Sequence, residues 1–72
     1  MILFVNGERQ EVRDGVTVGA LVAALAAKAA GLPGGRGVAV AVDAEVVPRS
    51  AWDTVELVDG QRVEILAAIQ GG

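Results

Sequence analysis

Ile2-Leu3-Phe4-Val5 is a short apolar run, and Glu8 to Arg13 is a polar one with Val12 inside it. Asn6-Gly7 stands between them. Asn-Gly flanked by strand-like runs predicts a β-hairpin, because a type I′ turn needs positive φ at both central residues. A two-residue turn also fixes the register: Val5 faces Glu8, Leu3 faces Gln10 and Met1 faces Val12. Leu3, Val5 and Val12 then share one face, and Ile2 and Phe4 the other. Asp14-Gly15 marks the next turn.

Thr17 is placed to cap a helix running from Val18 to about Ala30, with its hydroxyl on an otherwise orphan backbone N–H. Val18, Leu21, Val22 and Leu25 recur at helical spacing and form one stripe toward a core. Gly19 early in that helix costs about 1 kcal/mol relative to alanine. Lys28 complements the helix dipole in the last turn, Gly31 is the expected C′ residue and Pro33 the stop. The Gly-rich segment 31–37 is read as a connection. It lacks the Gly-Lys-Ser/Thr ending and the following helix of a phosphate-binding loop.

Val38 to Val42 alternates valine and alanine, predicting a strand whose valines face the core. Joined to the hairpin through a helix, it is expected to run parallel to the first strand. Asp43-Ala44-Glu45 turns the chain into a short strand at Val46-Val47, and Pro48 ends the pairing. Arg49 to Asp53 should form one tight helical turn leading to Leu57, and Asp59-Gly60 a turn into the last strand, Arg62 to Ala68. The order is ββαβ(β)β. This predicts an α+β fold of the β-grasp (ubiquitin-like) pattern: a mixed four- to five-stranded sheet with one helix packed across one face, in one domain over 1–72.

Composition narrows the chemistry. The chain has 72 residues, and folding at that size buries only about 60% of the unfolded surface, so each apolar strand matters. Of the 53% hydrophobic residues, thirteen are alanine and thirteen the strand-favouring valine; Phe4 and Trp52 are the only aromatics. A net charge of −3 argues against a nucleic-acid surface, which needs a basic patch. No cysteine or histidine is present, which removes thiolate nucleophiles, the commonest zinc ligands and the usual general base. Neither a catalytic residue, a metal site nor a bound cofactor is therefore expected. Met1 to Val5 is too short for a signal-peptide core, and no run approaches the length of a membrane span, so a cytoplasmic chain without membrane contact is the expectation.

Gly71-Gly72 follows directly on the last strand. Glycine has no Cβ and can pass where other residues clash. Residues 69–72, read as a flexible tail, reach roughly 13–14 Å when extended. That suffices to thread a carboxylate into a narrow site on another protein. The carboxylate is ionised at neutral pH and a poor electrophile, so a partner would have to activate it, most simply as an anhydride made with ATP. Frayed terminal residues of no consequence are the alternative.

Several blocks together resemble a known family. They are Asn6-Gly7-Glu8, then Val16-Thr17-Val18 with Leu21-Val22, and Val38 to Val42 followed by Val47-Pro48-Arg49-Ser50 and Trp52. Leu57, Asp59-Gly60, Val63-Glu64-Ile65 and Gly71-Gly72 complete them. The set is similar, in order and over nearly the whole chain, to the ThiS family of thiamin-biosynthesis sulfur carriers. Two positions depart from that family's pattern: Gln61 where Asp is frequent, and Asp43 where Asn is common. The loop at 31–37 is also longer than in some relatives.

The resemblance implies a protein co-substrate rather than an enzyme. An E1-like enzyme, using ATP and magnesium, would adenylate the carboxylate of Gly72. A persulfide donor such as a cysteine desulfurase would displace AMP, and the resulting thiocarboxylate would deliver sulfur to thiazole synthase. Gly71 would give the tail access. Three alternatives stay open: a molybdopterin-synthase sulfur carrier, whose family tends to carry a proline pair before its Gly-Gly; a ubiquitin-like modifier; and a β-grasp binding module with an incidental tail.

The outer sheet face should carry Ile2, Phe4, Ala39, Ala41, Leu66 and Ala68. Such an apolar patch is the expected partner-binding surface for the activating enzyme, or otherwise a self-association face. Arg49 is read as a structural bridge to Asp53 or Glu56, Trp52 as a packing anchor, and Asn6 and Asp59 as turn formers only.

Overall fold

The computed structural model describes residues 1–28 and 37–67. The expectations for the helix end at 29–30, for the loop at 31–36 and for residues 68–72 lie outside these. Five strands and one helix follow in the order β1 (Ile2–Val5), β2 (Glu8–Glu11), α1 (Val18–Lys28), β3 (Val38–Val42), β4 (Glu45–Val47) and β5 (Arg62–Ala67), with a 3-10 turn at Arg49–Ala51. They form one sheet in the order β2-β1-β5-β3-β4. This is the β-grasp arrangement. Among the described residues no helix is long and apolar enough to cross a membrane.

The first hairpin forms in the register its turn dictates, with Val5 opposite Glu8 and Leu3 opposite Gln10. Asn6 and Gly7 both have positive φ, 50° and 83°, as a type I′ turn requires. The N-terminal ammonium of Met1 donates to Val12 C=O at 2.8 Å, and Val12 N–H donates to Met1 C=O at 2.9 Å.

β3 corrects one expectation. It pairs antiparallel with β5, and β5 pairs parallel with β1, so β3 runs opposite to β1 and is not its neighbour. The crossover rule concerns the strand that feeds the helix. That strand is β2, which runs antiparallel to β1, so β3, parallel to β2 across the helix, is opposed to β1. The position beside β1 is taken by the last strand of the chain.

The first three N–H groups of α1 all find partners outside the helix ladder. Val18 N–H donates to Val55 C=O and Gly19 N–H to Trp52 C=O, both at 3.0 Å; Ala20 N–H reaches Thr17 Oγ1 at 3.2 Å. Leu21 N–H then closes the first helical bond onto Thr17 C=O. The segment 52–55 thus acts as a second cap beside Thr17. Gly19 lies at that approach: a Cβ there would meet Asp53 Oδ1 at 2.5 Å, which the exposed Asp53 side chain can relieve by turning, and would touch Trp52 Cβ and its carbonyl oxygen at an ordinary 3.6 Å.

The core lies between the helix and the inner sheet face. Leu3, Val5, Val40, Val42, Val63 and Ile65 meet Val18, Leu21 and Val22, with Trp52 and Leu57 buried among them. Trp52 donates its indole N–H to Val47 C=O at 2.9 Å, and the Arg49 guanidinium lies 5.8 Å from its ring centroid. Trp52 is therefore the packing anchor expected of it, and its own carbonyl caps the helix. A cation over an indole face contributes about 0.5–1 kcal/mol at an exposed site.

Candidate functional site: the open sheet face and the root of the tail

With the helix on one face, the other face of the sheet is uncovered among the described residues. Its layout follows from the register. On β5, Arg62, Glu64 and Leu66 point outward, alternating with the buried Val63 and Ile65. Leu66 stands opposite Ala39, and Glu64 opposite Ala41, which in turn faces Val46 of β4. On the other side Phe4 lies between Arg62 and Arg9. Ile2 is next along β1 and pairs with Glu11.

The expected partner-binding residues fall on this face in two groups. Ala39, Ala41 and Leu66 form one apolar area, extended by Val46, at the end of β5 from which the chain continues toward 68–72. Ile2 and Phe4 form the other. Arg62 and Glu64 lie between them, so the described part of the face is apolar at its edges and charged along its middle. Leu66 is 65% exposed, Val46 72% and Phe4 38%. Alternation along β3 and β5 accounts for Leu66 and the alanines, whereas Val46 joins them through the pairing of β4 with β3. A shallow groove crosses Phe4 between the Asn6-Gly7 turn and Gly60, with Arg62 and Glu64 along it. Ala68, Gly71 and Gly72 lie outside the described residues.

Asn6 and Asp59 both do more than form turns. Asp59 Oδ1 accepts the backbone N–H of Ile2 at 2.6 Å, while Gly60 N–H donates to Ile2 C=O at 2.7 Å, tying the start of β1 to the turn before β5. Asn6 acts at the other end. Its Oδ1 accepts the Ile65 N–H at 2.9 Å and its Nδ2 donates to the Ile65 C=O at 3.1 Å. The backbone ladder from β1 to β5 runs from Phe4 N–H on Gln61 C=O to Asn6 N–H on Val63 C=O. Beyond that β1 turns away, and the Asn6 amide stands in for the missing strand residue. No sequence signal separated this role from the turn, since Asn-Gly is explained by the turn alone.

The five-stranded mixed sheet, the single helix across it and the strand that leads out toward a Gly-Gly define a small ubiquitin-like β-grasp protein. Its relatives sharpen this. The model of the ThiS family matches residues 3–72, and the chain belongs to that family. It is similar to the thiamine biosynthesis protein ThiS of Geobacter metallireducens. The crystal structure of that protein superposes with a TM-score of 0.79 at 35% identity, covering 100% of both chains. A solution structure of a thiamine biosynthesis protein from the same organism gives a TM-score of 0.75 at 35% identity, covering all of this chain and 88% of the other. The chain is also 38% identical over 72 residues to a thiazole synthase of Paramagnetospirillum magneticum, where it spans only 20% of that protein's length.

Proposed function

We propose that this chain is the sulfur carrier for formation of the thiazole of thiamin, acting in the cytoplasm as a substrate of partner enzymes. The observation that carries this reading is a family match that runs to residue 72 and so takes in the Gly-Gly. In the proposed sequence, an E1-like enzyme binds ATP and magnesium, and a Gly72 carboxylate oxygen attacks the α-phosphorus, releasing pyrophosphate. A persulfide from a cysteine desulfurase or related donor then attacks the acyl carbon and expels AMP. A second thiol cleaves the resulting S–S bond, becoming part of a disulfide, and leaves the thiocarboxylate on Gly72. Every bond is made or broken on the tail or on a partner. A chain without cysteine or histidine has no part in this beyond presenting its carboxylate.

The outer face supplies the docking surface in this reading, with Leu66, Ala39 and Ala41 (and Ala68 beyond them) nearest the tail, and Ile2 and Phe4 farther along. Likeness over the whole chain to part of a thiazole synthase favours the thiazole acceptor over molybdopterin synthase. The discriminating experiment supplies the thiocarboxylated chain to each acceptor enzyme in turn. Sulfur transfer to the thiazole product and none to the molybdopterin precursor supports the reading. The reverse would assign the chain to the molybdopterin branch.

A further inference from the structure

The amide of Asn6 closes on the backbone of a residue 59 positions away. It does so where β5 loses its β1 partner, seven residues before Gly72. We propose that Asn6 is a positioning residue for the tail: by holding Ile65 on both its N–H and its C=O, it fixes the point and direction in which β5 leaves the sheet. This rests on the sulfur-carrier reading, because it is the reacting carboxylate that is positioned.

The physical case is one of anchoring. β3 holds one edge of β5 as far as the pairing of Val38 with Ala67. On the other edge the last backbone bond among the described residues is Asn6 N–H to Val63 C=O, and among them the Asn6 side chain alone carries the hold two residues further. Without it β5 is secured on one edge alone past Val63 and can twist about that edge. Residues 66–72 span about 23–25 Å when extended, so the angle at Ile65 sets the direction in which that reach begins. Side-chain amides suit this task because one group supplies both an acceptor and a donor. Asn also tolerates the φ of 50° found here, so a single residue serves the turn and the clamp.

Asn6→Gly separates the two roles, since glycine accepts positive φ and keeps the turn while removing both clamp bonds. Asn6→Asp keeps the acceptor for Ile65 N–H and loses the donor to Ile65 C=O. In Asn6→Gly, hydrogen exchange at the Ile65 amide should rise by about tenfold or more while the β3 amides keep their rates. Adenylation of the full chain by an E1-like enzyme with ATP should then show kcat falling roughly tenfold with little change in KM, because docking is intact and the carboxylate misplaced. Asn6→Asp should fall between. A purely structural role has a different signature: a lower folded fraction raises the apparent KM and leaves kcat alone. Unchanged kcat in both variants, with faster exchange at Ile65, would overturn positioning. If the unaltered chain is not adenylated at all, the sulfur-carrier reading fails and positioning with it, while the exchange data still report the clamp.

Discussion

The side-chain amide of Gln61 donates to the Asp43 carboxylate at 3.2 Å, and the other carboxylate oxygen accepts the Arg62 N–H at 3.0 Å. The resemblance to the ThiS family implies Asp at 61 and Asn at 43, so that acid and amide would trade places, and in the fold the two residues touch.

Gln61→Asp alone should therefore destabilise the protein, by about 0.5–1 kcal/mol at low salt, because it sets two carboxylates against each other. Adding Asp43→Asn should recover most of the loss. Urea unfolding of the two single variants and the double closes the cycle. Simple additivity would show that the contact has no energetic content.

Ala44 has a φ of 69°, beside Asp43 at 50°, in the turn joining β3 to β4. The left-handed conformation costs a non-glycine residue about 1–2 kcal/mol. Glycine would relieve that cost and return about 0.4–1 kcal/mol through the greater freedom of the unfolded chain. Ala44→Gly should thus raise stability by about 0.5 kcal/mol, read as a higher midpoint in urea. A lower midpoint would mean that the exposed Ala44 methyl contributes to the fold.

These contacts mark where sequence reasoning stopped. The Asn6-Gly7 hairpin, the Thr17 cap, the Val18/Leu21/Val22 stripe and the valine-alanine strand were legible because each rests on local geometry or periodicity. The direction of β3 relative to β1 was legible only through β2, the antiparallel hairpin strand that feeds the helix and to which β3 runs parallel. The approach of the 52–55 segment to the start of the helix left no sequence signal. Asn6 and Asp59 each had a sufficient local explanation, so their long-range bonds to Ile65 and Ile2 left no separate trace. On the site, alternation placed Phe4, Leu66 and the alanines on one face. Arg62 and Glu64 share that alternation and fall between them once the register is known.

Leu66→Glu is the cleanest probe of the docking face, because Leu66 is 65% exposed and takes no part in the core. KM for adenylation should rise by roughly tenfold or more with the urea midpoint unchanged, an effect typical of a buried interface anchor. Phe4→Glu should weaken the same encounter. If this face serves self-association, the two substitutions will change the sedimentation behaviour and leave adenylation as it was.

The most direct measurement is the intact mass of the chain after incubation with ATP, magnesium, an E1-like activating enzyme and a persulfide source. A gain equal to one sulfur in place of one oxygen, absent when Gly72 is deleted, is the predicted result. An unchanged mass in the presence of cognate enzymes of proven activity would contradict the carrier role and leave a β-grasp binding module in its place.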